Sequence, residues 1–170
     1  MDLKYLVTAT RPRVYLLWAV LVPIGFVATH FYQNHNINYL WVTIAIIGLG
    51  YMYKVMPLRV GQLRKIFLAW LVPITGGIII SGAVFYIHGS FAGNLIGHLG
   101  ALWLAVMAVG YFLNGLVDAP STWYWFAAIL NAVAAVAVYA VHALVASQYL
   151  IAAVVSAMSM LLLWLLRSEV

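Results

Sequence analysis

Six apolar stretches separated by short polar breaks dominate the chain and restrict what it can fold into. They cover residues 14–31, 39–55, 66–87, 97–117, 122–144 and 149–166. A membrane-spanning helix needs about 20 mostly apolar residues, so each stretch is long enough, or nearly so, to cross a bilayer. Only 6% of the residues are charged, whereas a soluble domain has about a quarter. The sequence predicts an all-α polytopic membrane protein: six transmembrane helices, paired as three hairpins, in a single transmembrane domain over residues 1–170.

The basic residues predict the orientation of these spans. All eight Lys and Arg side chains lie before the first stretch, between the second and third, or after the sixth. The connections on the opposite side ("YQNHNIN", "HGSFAGNLIGH" and "ASQ") contain none. Positively charged loops remain on the cytoplasmic side, so both termini are predicted to be cytoplasmic, with the protein in the cell membrane. The net charge of +5 then faces anionic lipid headgroups, and no nucleic-acid partner is expected because no separate basic domain exists.

A repeated tetrapeptide predicts internal duplication. "LVPI" occurs at 21–24 and again at 71–74, in each case shortly after a tryptophan. The repeat predicts hairpins over approximately 14–56 and 66–117, followed by a third at 122–166 that has Asn131 at the depth of the prolines. Pro23 and Pro73 each remove a backbone hydrogen bond and kink their helix. Two alternatives follow: the kinks only shape the bundle, or they line a central site, as broken helices do in transporters built from repeats.

Small and aromatic residues predict how the helices pack. Residues 76–83 and 127–140 are rich in Gly, Ala and Ser, which let membrane helices approach closely. The third and fifth spans are therefore predicted to form the centre of the bundle. Trp123, Tyr124 and Trp125 are predicted to anchor the fifth span at the membrane interface.

A solute pathway would use the few polar or helix-breaking residues of the spans. No acid or base lies in the middle of a span, so the solute of such a pathway would be neutral or lipidic. The candidate ligand or pathway residues are Pro23, Pro73, Thr75, Ser81, Asn131, Asn114 and Asp118.

The segment around Asp118 has a further resemblance. "GYFLNGLVDAP" (110–120) resembles the first aspartate-rich motif of the UbiA family of intramembrane prenyltransferases, and "TRPRVYLL" (10–17) resembles its basic entry segment. The resemblance implies a magnesium–diphosphate site matched here by Asn114 and Asp118. Gly115 and Thr122 stand where further acids would be expected, and the chain has only three acids. One carboxylate is a poor ligand set for such a cluster, so no catalytic residue and no enzymatic activity are predicted.

The histidines form the other polar pattern. All five fall at the ends of spans opposite the basic residues. Imidazole binds metals and haem, and it changes charge between about pH 5 and 8. No pair has the spacing that presents two imidazoles from one helix turn, and that side has no carboxylate, so no cofactor is predicted. A haem or divalent metal is the alternative, and the metal or pH-sensing candidates are His30, His88, His98 and His142.

Together these features predict a non-enzymatic integral membrane protein. The leading hypothesis is an accessory or scaffold subunit of a larger membrane assembly, whose partners are membrane lipids and other membrane subunits or a second copy of the chain. The alternatives are a small transporter or channel-like protein for a neutral or lipidic solute, and a haem- or metal-binding protein at the outer face.

Overall fold

The computed structural model describes residues 3–32, 34, 36–56, 58, 60–87, 89–118 and 122–168, and only the backbone for 3–11, 90–92 and 167–168. These residues form helices and connections, without a strand. The helices are α1 (Leu3–Phe31), α2 (Ile37–Val55), α3 (Gly61–Ala83), α4 (Ser90–Gly97), α5 (Leu99–Val117), α6 (Thr122–Ala140), α7 (His142–Val145) and α8 (Gln148–Ser168). The short helices α4 and α7 lie in segments that the sequence assigned to a connection and to the end of the fifth span.

Among the residues that the structure describes, five helices are long and apolar enough to cross a membrane: α1 from Pro12 onwards, α3, α5, α6 and α8 through Leu166. They confirm the predicted class of helical membrane protein. Helix α2 has 19 residues but is not among the five, because Asn38 near its start and Lys54 in its last turn lower its mean hydropathy. The sixth span therefore stays a prediction.

The long helices pack in a ring. Helix α1 contacts α2 and α8, α3 contacts α2 and α5, and α6 contacts α5 and α8. The first and last helices, α1 and α8, share the most extensive contact, and α5 also touches α8 across the bundle. Half of α5 is buried but only a third of α6, so the prediction that the third and fifth spans form the centre is wrong. The small residues of α6 do not all face inward, since Ala132 is exposed.

Contacts at the two ends show that neighbouring helices alternate in direction. At one end, Tyr15 in the N-terminal half of α1 is hydrogen-bonded to Tyr124 at the start of α6, and Tyr124 is hydrogen-bonded to Asp118, where α5 ends. We name this the Asp118 end. At the other, the Gln148 end, the Gly100 amide near the start of α5 donates to the Gln148 side chain at the start of α8.

The first hairpin is held by two tryptophans that each lie against a glycine of the other helix. A Cβ atom at Gly48 of α2 would lie 2.3 Å from the Trp18 ring of α1, and one at Gly25 of α1 would lie 2.9 Å from the Trp41 ring of α2. The Trp41 indole N–H donates to Thr29 Oγ1 at 3.0 Å, so its polar group is satisfied inside the core. Only glycine leaves room for the indoles at these positions.

The second hairpin repeats this arrangement. A Cβ atom at Gly110 of α5 would lie 2.5 Å from the Trp70 ring of α3, and one at Gly77 of α3 would lie 3.1 Å from the Trp103 ring of α5. In all four helices the glycine follows the tryptophan by seven residues, or about two turns. The pairs are Trp18 and Gly25, Trp41 and Gly48, Trp70 and Gly77, and Trp103 and Gly110.

The four indoles fill the middle of the bundle. The Trp41 and Trp103 rings stack with centroids 5.0 Å apart and an interplanar angle of 13°. Together with Phe26 and with aliphatic and methionine side chains, the four tryptophans line an apolar cavity of about 20 Å³. A cavity of this size has room for about one water molecule, and an apolar one stays dry. These side chains, the aromatic core, therefore nearly fill the middle of the bundle.

Candidate functional site

A hydrogen-bonded cluster closes the Asp118 end. Asp118 follows the last residue of α5 and is 1% exposed. Its Oδ2 accepts a hydrogen bond from the Tyr124 hydroxyl at 2.7 Å, and its Oδ1 accepts one from Gln62 Nε2 at 3.2 Å. The hydroxyls of Tyr15 and Tyr124 are hydrogen-bonded to each other. These four residues, the Asp118 cluster, tie the starts of α3 and α6 and the N-terminal half of α1 to the end of α5.

The role predicted for Tyr124 is wrong. Tyr124 is fully buried and binds the carboxylate, whereas its neighbour Trp123 is exposed. The aromatic triplet is therefore divided, because one face of the first turn of α6 meets the buried acid. Asp118 lies directly after α5, and its side chain is held by donors from two helices, α3 and α6.

Two buried asparagines extend the polar region towards the middle of the bundle. Asn114 and Asn131 are fully buried. Each donates its side-chain N–H to the backbone carbonyl four residues earlier at 2.8 Å, and Asn131 also donates to Ser159 Oγ at 2.9 Å. Only the amide nitrogen can donate to a carbonyl, so these bonds fix the orientation of both amides. Both Oδ1 atoms are then left without a hydrogen-bond partner.

Tyr111 adds a third unpartnered polar atom. Its side chain is fully buried and lies near Tyr15 and Ser159, but its hydroxyl does not complete a hydrogen bond of good geometry. We name Tyr111, Asn114, Asn131 and Ser159 the polar stripe. An unsatisfied buried polar group costs about 1–3 kcal/mol, so the stripe is the place where the interior departs most from an apolar bundle.

The structure divides the seven pathway candidates. Asn114, Asp118 and Asn131 belong to the Asp118 cluster and the polar stripe. Pro23 and Pro73 lie inside the continuous helices α1 and α3. The two further candidates on α3, Thr75 and Ser81, belong to neither the Asp118 cluster nor the polar stripe. Thr75 is exposed and lines an outer groove, and Ser81 is buried nearer the Gln148 end, with its hydroxyl unpartnered. No single site collects all seven.

Three of the four candidate histidines lie in described segments, at helix ends towards the Gln148 end. His30 packs edge-on to Phe31, His98 Nδ1 donates to the Asn94 carbonyl at 2.8 Å, and His142 is exposed at the start of α7. His88 lies outside the described residues, as does His35. Within the described part of the chain, no three His, Asp or Glu side chains are grouped so as to hold a metal ion. Haem or metal binding at the histidines therefore stays an untested alternative.

Grooves on the outer surface are further candidate sites. One groove, of about 410 Å³, lies between α2 and α3. Two more, of about 400 and 290 Å³, follow each other along α5 and α6. Six alanines and nine larger side chains line the α5/α6 grooves. They are Leu95, His98, Ala101, Leu102, Ala105, Ala108, Val109, Phe112, Trp125, Ala128, Ile129, Ala132, Ala135, Val136 and Tyr139.

No family model, no curated protein and no solved structure matches the chain. Its own composition and fold define its class, which is that of a helical integral membrane protein.

Proposed function

We propose that this protein is a non-enzymatic accessory or scaffold subunit of a larger membrane assembly and that its outer surface carries its function. One observation supports this most directly: the aromatic core leaves a cavity of only about 20 Å³, while the α5/α6 surface has grooves of about 400 and 290 Å³. A filled core provides a rigid body. The open grooves provide the surface that a partner would cover.

The proposed partner is a transmembrane helix of another subunit, seated along α5 and α6. Alanines line both grooves, and small residues let membrane helices approach closely enough for extensive van der Waals contact. Helix α6 has the smallest buried share of the five candidate spans, so most of its surface is available to a neighbour. The exposed side chains that would meet this partner include Val109, Phe112, Ile129, Val133 and Val136.

Two alanines on α6 provide a matched test of this interface. Ala132 is exposed and lines a groove, whereas Ala140 is exposed but lines neither. We expect Ala132→Leu to reduce several-fold the amount of partner that co-purifies after gentle extraction, because the larger side chain occupies the groove. Ala140→Leu should leave co-purification unchanged. Equal recovery of the same partner with both variants would overturn the proposed interface.

The proposal includes α2 as a sixth span and places both termini in the cytoplasm of a cell-membrane protein. Helix α2 lies in the ring between α1 and α3, with its last turn towards the Asp118 end. The basic side chains Arg13, Lys54, Arg64 and Lys65 are exposed at that same end. The chain has no cysteine, so single cysteines report topology cleanly. Asn34→Cys should react with an impermeant maleimide added outside cells and Gly61→Cys should not, and the reverse pattern would refute this orientation.

The duplication of a helical hairpin also belongs to the proposal. Its support is the reciprocal tryptophan–glycine packing of the first two hairpins rather than the tetrapeptide alone. Trp18 and Trp70 are 52 positions apart, as are Gly25 and Gly77, whereas the two "LVPI" copies are 50 apart. Pro23 and Pro73 are therefore not equivalent in the register of the packing contacts. In this register, the indole–glycine contacts are the features shared by the two hairpins.

A second candidate function, favoured by the polar stripe, is passage of a small neutral or lipidic solute. Three buried polar atoms without partners, on Tyr111, Asn114 and Asn131, would be satisfied by a hydrogen-bonding solute or by water. This function requires the Asp118 cluster to open, because the cluster covers the stripe at one end. Solute flux into liposomes should then fall when Asn131 is replaced by Leu, and unchanged flux would remove the stripe from the mechanism.

A further inference from the structure

The groove between α2 and α3 differs in kind from those along α5 and α6. It has a volume of about 410 Å³ and its lining is almost entirely apolar. Its walls include Ile46, Gly50 and Tyr53 from α2, and Phe67, Thr75 and Ile79 from α3. Ile46, Tyr53 and Ile79 are each at least 63% exposed, so the groove opens to the surroundings of the bundle and not to its core.

The length of the groove matches one leaflet of a bilayer. Its lining on α2 extends from Val42 to Tyr53, which corresponds to about 17 Å along a helix axis. The hydrocarbon core of a bilayer is about 30 Å thick, so one leaflet occupies about 15 Å. A partner helix that crossed the membrane would need a groove along the whole span, whereas one acyl chain needs only this length.

Basic side chains stand at one mouth of the groove. Lys54 follows Gly50 by four residues on α2, and Arg64 precedes Phe67 by three residues on α3. Residues three or four apart share a helix face, so Lys54 lies one turn beyond Gly50 and Arg64 one turn beyond Phe67, each on the side of its helix that carries that lining residue. Both are exposed. The rings of Tyr53 and Phe67, 6.3 Å apart, separate these charges from the apolar part.

Charge and shape together specify the occupant. Two cations at the mouth of an apolar groove that is as long as one leaflet are complementary to a molecule with an anionic head and a hydrocarbon tail. Basic pockets between transmembrane helices bind anionic lipid headgroups for this reason. We propose that the α2/α3 groove is a binding site for an anionic phospholipid, with one acyl chain along the groove and the phosphate between Lys54 and Arg64.

Gly50 permits a substitution that fills the groove without disturbing the fold. No atom lies within 4 Å of the position that a Cβ atom would take at Gly50, and the same is true of Gly76 on α3, which does not line the groove. Gly50→Leu therefore places a side chain in the path of the acyl chain, and Gly76→Leu is its control. The double variant Lys54→Gln with Arg64→Gln removes the charges at the mouth, and Lys65→Gln controls for a basic residue that lies off the groove face of α3.

The experiment is a titration of delipidated protein with dioleoyl phosphatidylglycerol, and separately with dioleoyl phosphatidylcholine, followed by native mass spectrometry. We expect tighter binding of phosphatidylglycerol, a loss of about fivefold in its affinity for each charge removed, and loss of the high-affinity adduct in Gly50→Leu. Both controls should bind as the unmodified chain does.

Three results would overturn the proposal. They are equal affinity for the two lipids, a Gly50→Leu variant that binds phosphatidylglycerol as well as Gly76→Leu does, or a protein partner whose release is caused by Gly50→Leu. The site does not depend on the proposed subunit interface, which lies on α5 and α6. Failure of either proposal therefore leaves the other open to its own test.

Discussion

The first two hairpins and the third are built on different packing rules. In α1 with α2, and in α3 with α5, each indole lies against a glycine of the partner helix. In the third hairpin, Trp125 lies instead against Gly115 of α5, and the residue seven positions after Trp125 is Ala132. Its buried side chains include Asn131, Ser156 and Ser159. The bundle thus joins two hairpins packed around the aromatic core to a third hairpin with a polar interior face.

This difference shows how an almost wholly apolar sequence can specify one arrangement of helices. Apolar side chains alone do not distinguish one neighbour from another in a membrane, because lipid tails are equally apolar. An indole that fits only against glycine does distinguish them, and so does a hydrogen bond such as that of Asn131 to Ser159. The first two hairpins use the indole–glycine fit, and the third uses the hydrogen bond.

The largest effect on stability is expected from a substitution in the aromatic core. Gly48→Leu should destabilise the protein by about 3 kcal/mol or prevent folding, because its Cβ atom would lie 2.3 Å from the Trp18 ring and overpacking a core costs about 1–3 kcal/mol or more. Gly50→Leu, two residues away in open space, should leave stability nearly unchanged. Thermal unfolding in detergent measures both. Equal unfolding temperatures would show that the tryptophan–glycine contact does not determine the packing.

A smaller effect is expected at the Asp118 cluster. Tyr124→Phe removes the hydroxyl that donates to Asp118 and should lower the free energy of unfolding by about 2 kcal/mol, since hydrogen bonds to charged groups contribute about 1.5–3 kcal/mol. Tyr139→Phe, at a side chain that is 61% exposed, is the control. Chemical unfolding of the two variants side by side makes the comparison, and a Tyr124→Phe protein as stable as the control would count against a structural role for the cluster.

The smallest effect on stability is expected from Asn131→Leu. The substitution removes the hydrogen bonds to Ser159 and to the Ala127 carbonyl, and it also removes a buried oxygen that has no partner. The two changes oppose each other, so the free energy of unfolding should shift by less than about 1 kcal/mol. Asn131→Asp distinguishes a dry stripe from a hydrated one. A dry stripe should be strongly destabilised by the added carboxylate, whereas tolerance of Asp would favour the solute pathway.

Helical class and most helix positions could be predicted because they depend on local hydrophobicity. Helix α6 begins at the predicted Thr122, and α2 ends at the predicted Val55. Helix α1, by contrast, begins at Leu3 rather than at residue 14, because a polar segment can continue a helix beyond the span. Helix α4 was missed because its sequence, "SFAGNLIG", contains glycine and polar residues typical of a connection.

The burial of Asp118 could not be predicted because its partners are set by tertiary structure. Gln62 is 56 positions away in the sequence, and a single acid two residues before a proline is more often solvated. The spacing of Trp and Gly was present in the sequence and could have been found as a repeat. Its meaning depends on which helices face each other, and the folded ring of helices supplies that information.

Native mass spectrometry of the protein, extracted gently from its own membrane at natural abundance, tests whether the chain is a subunit of a membrane assembly. We expect a complex in which the chain is present in fixed stoichiometry with at least one other membrane protein. A chain that emerges alone, or as a homo-oligomer carrying a defined small molecule other than a phospholipid, would contradict the subunit proposal.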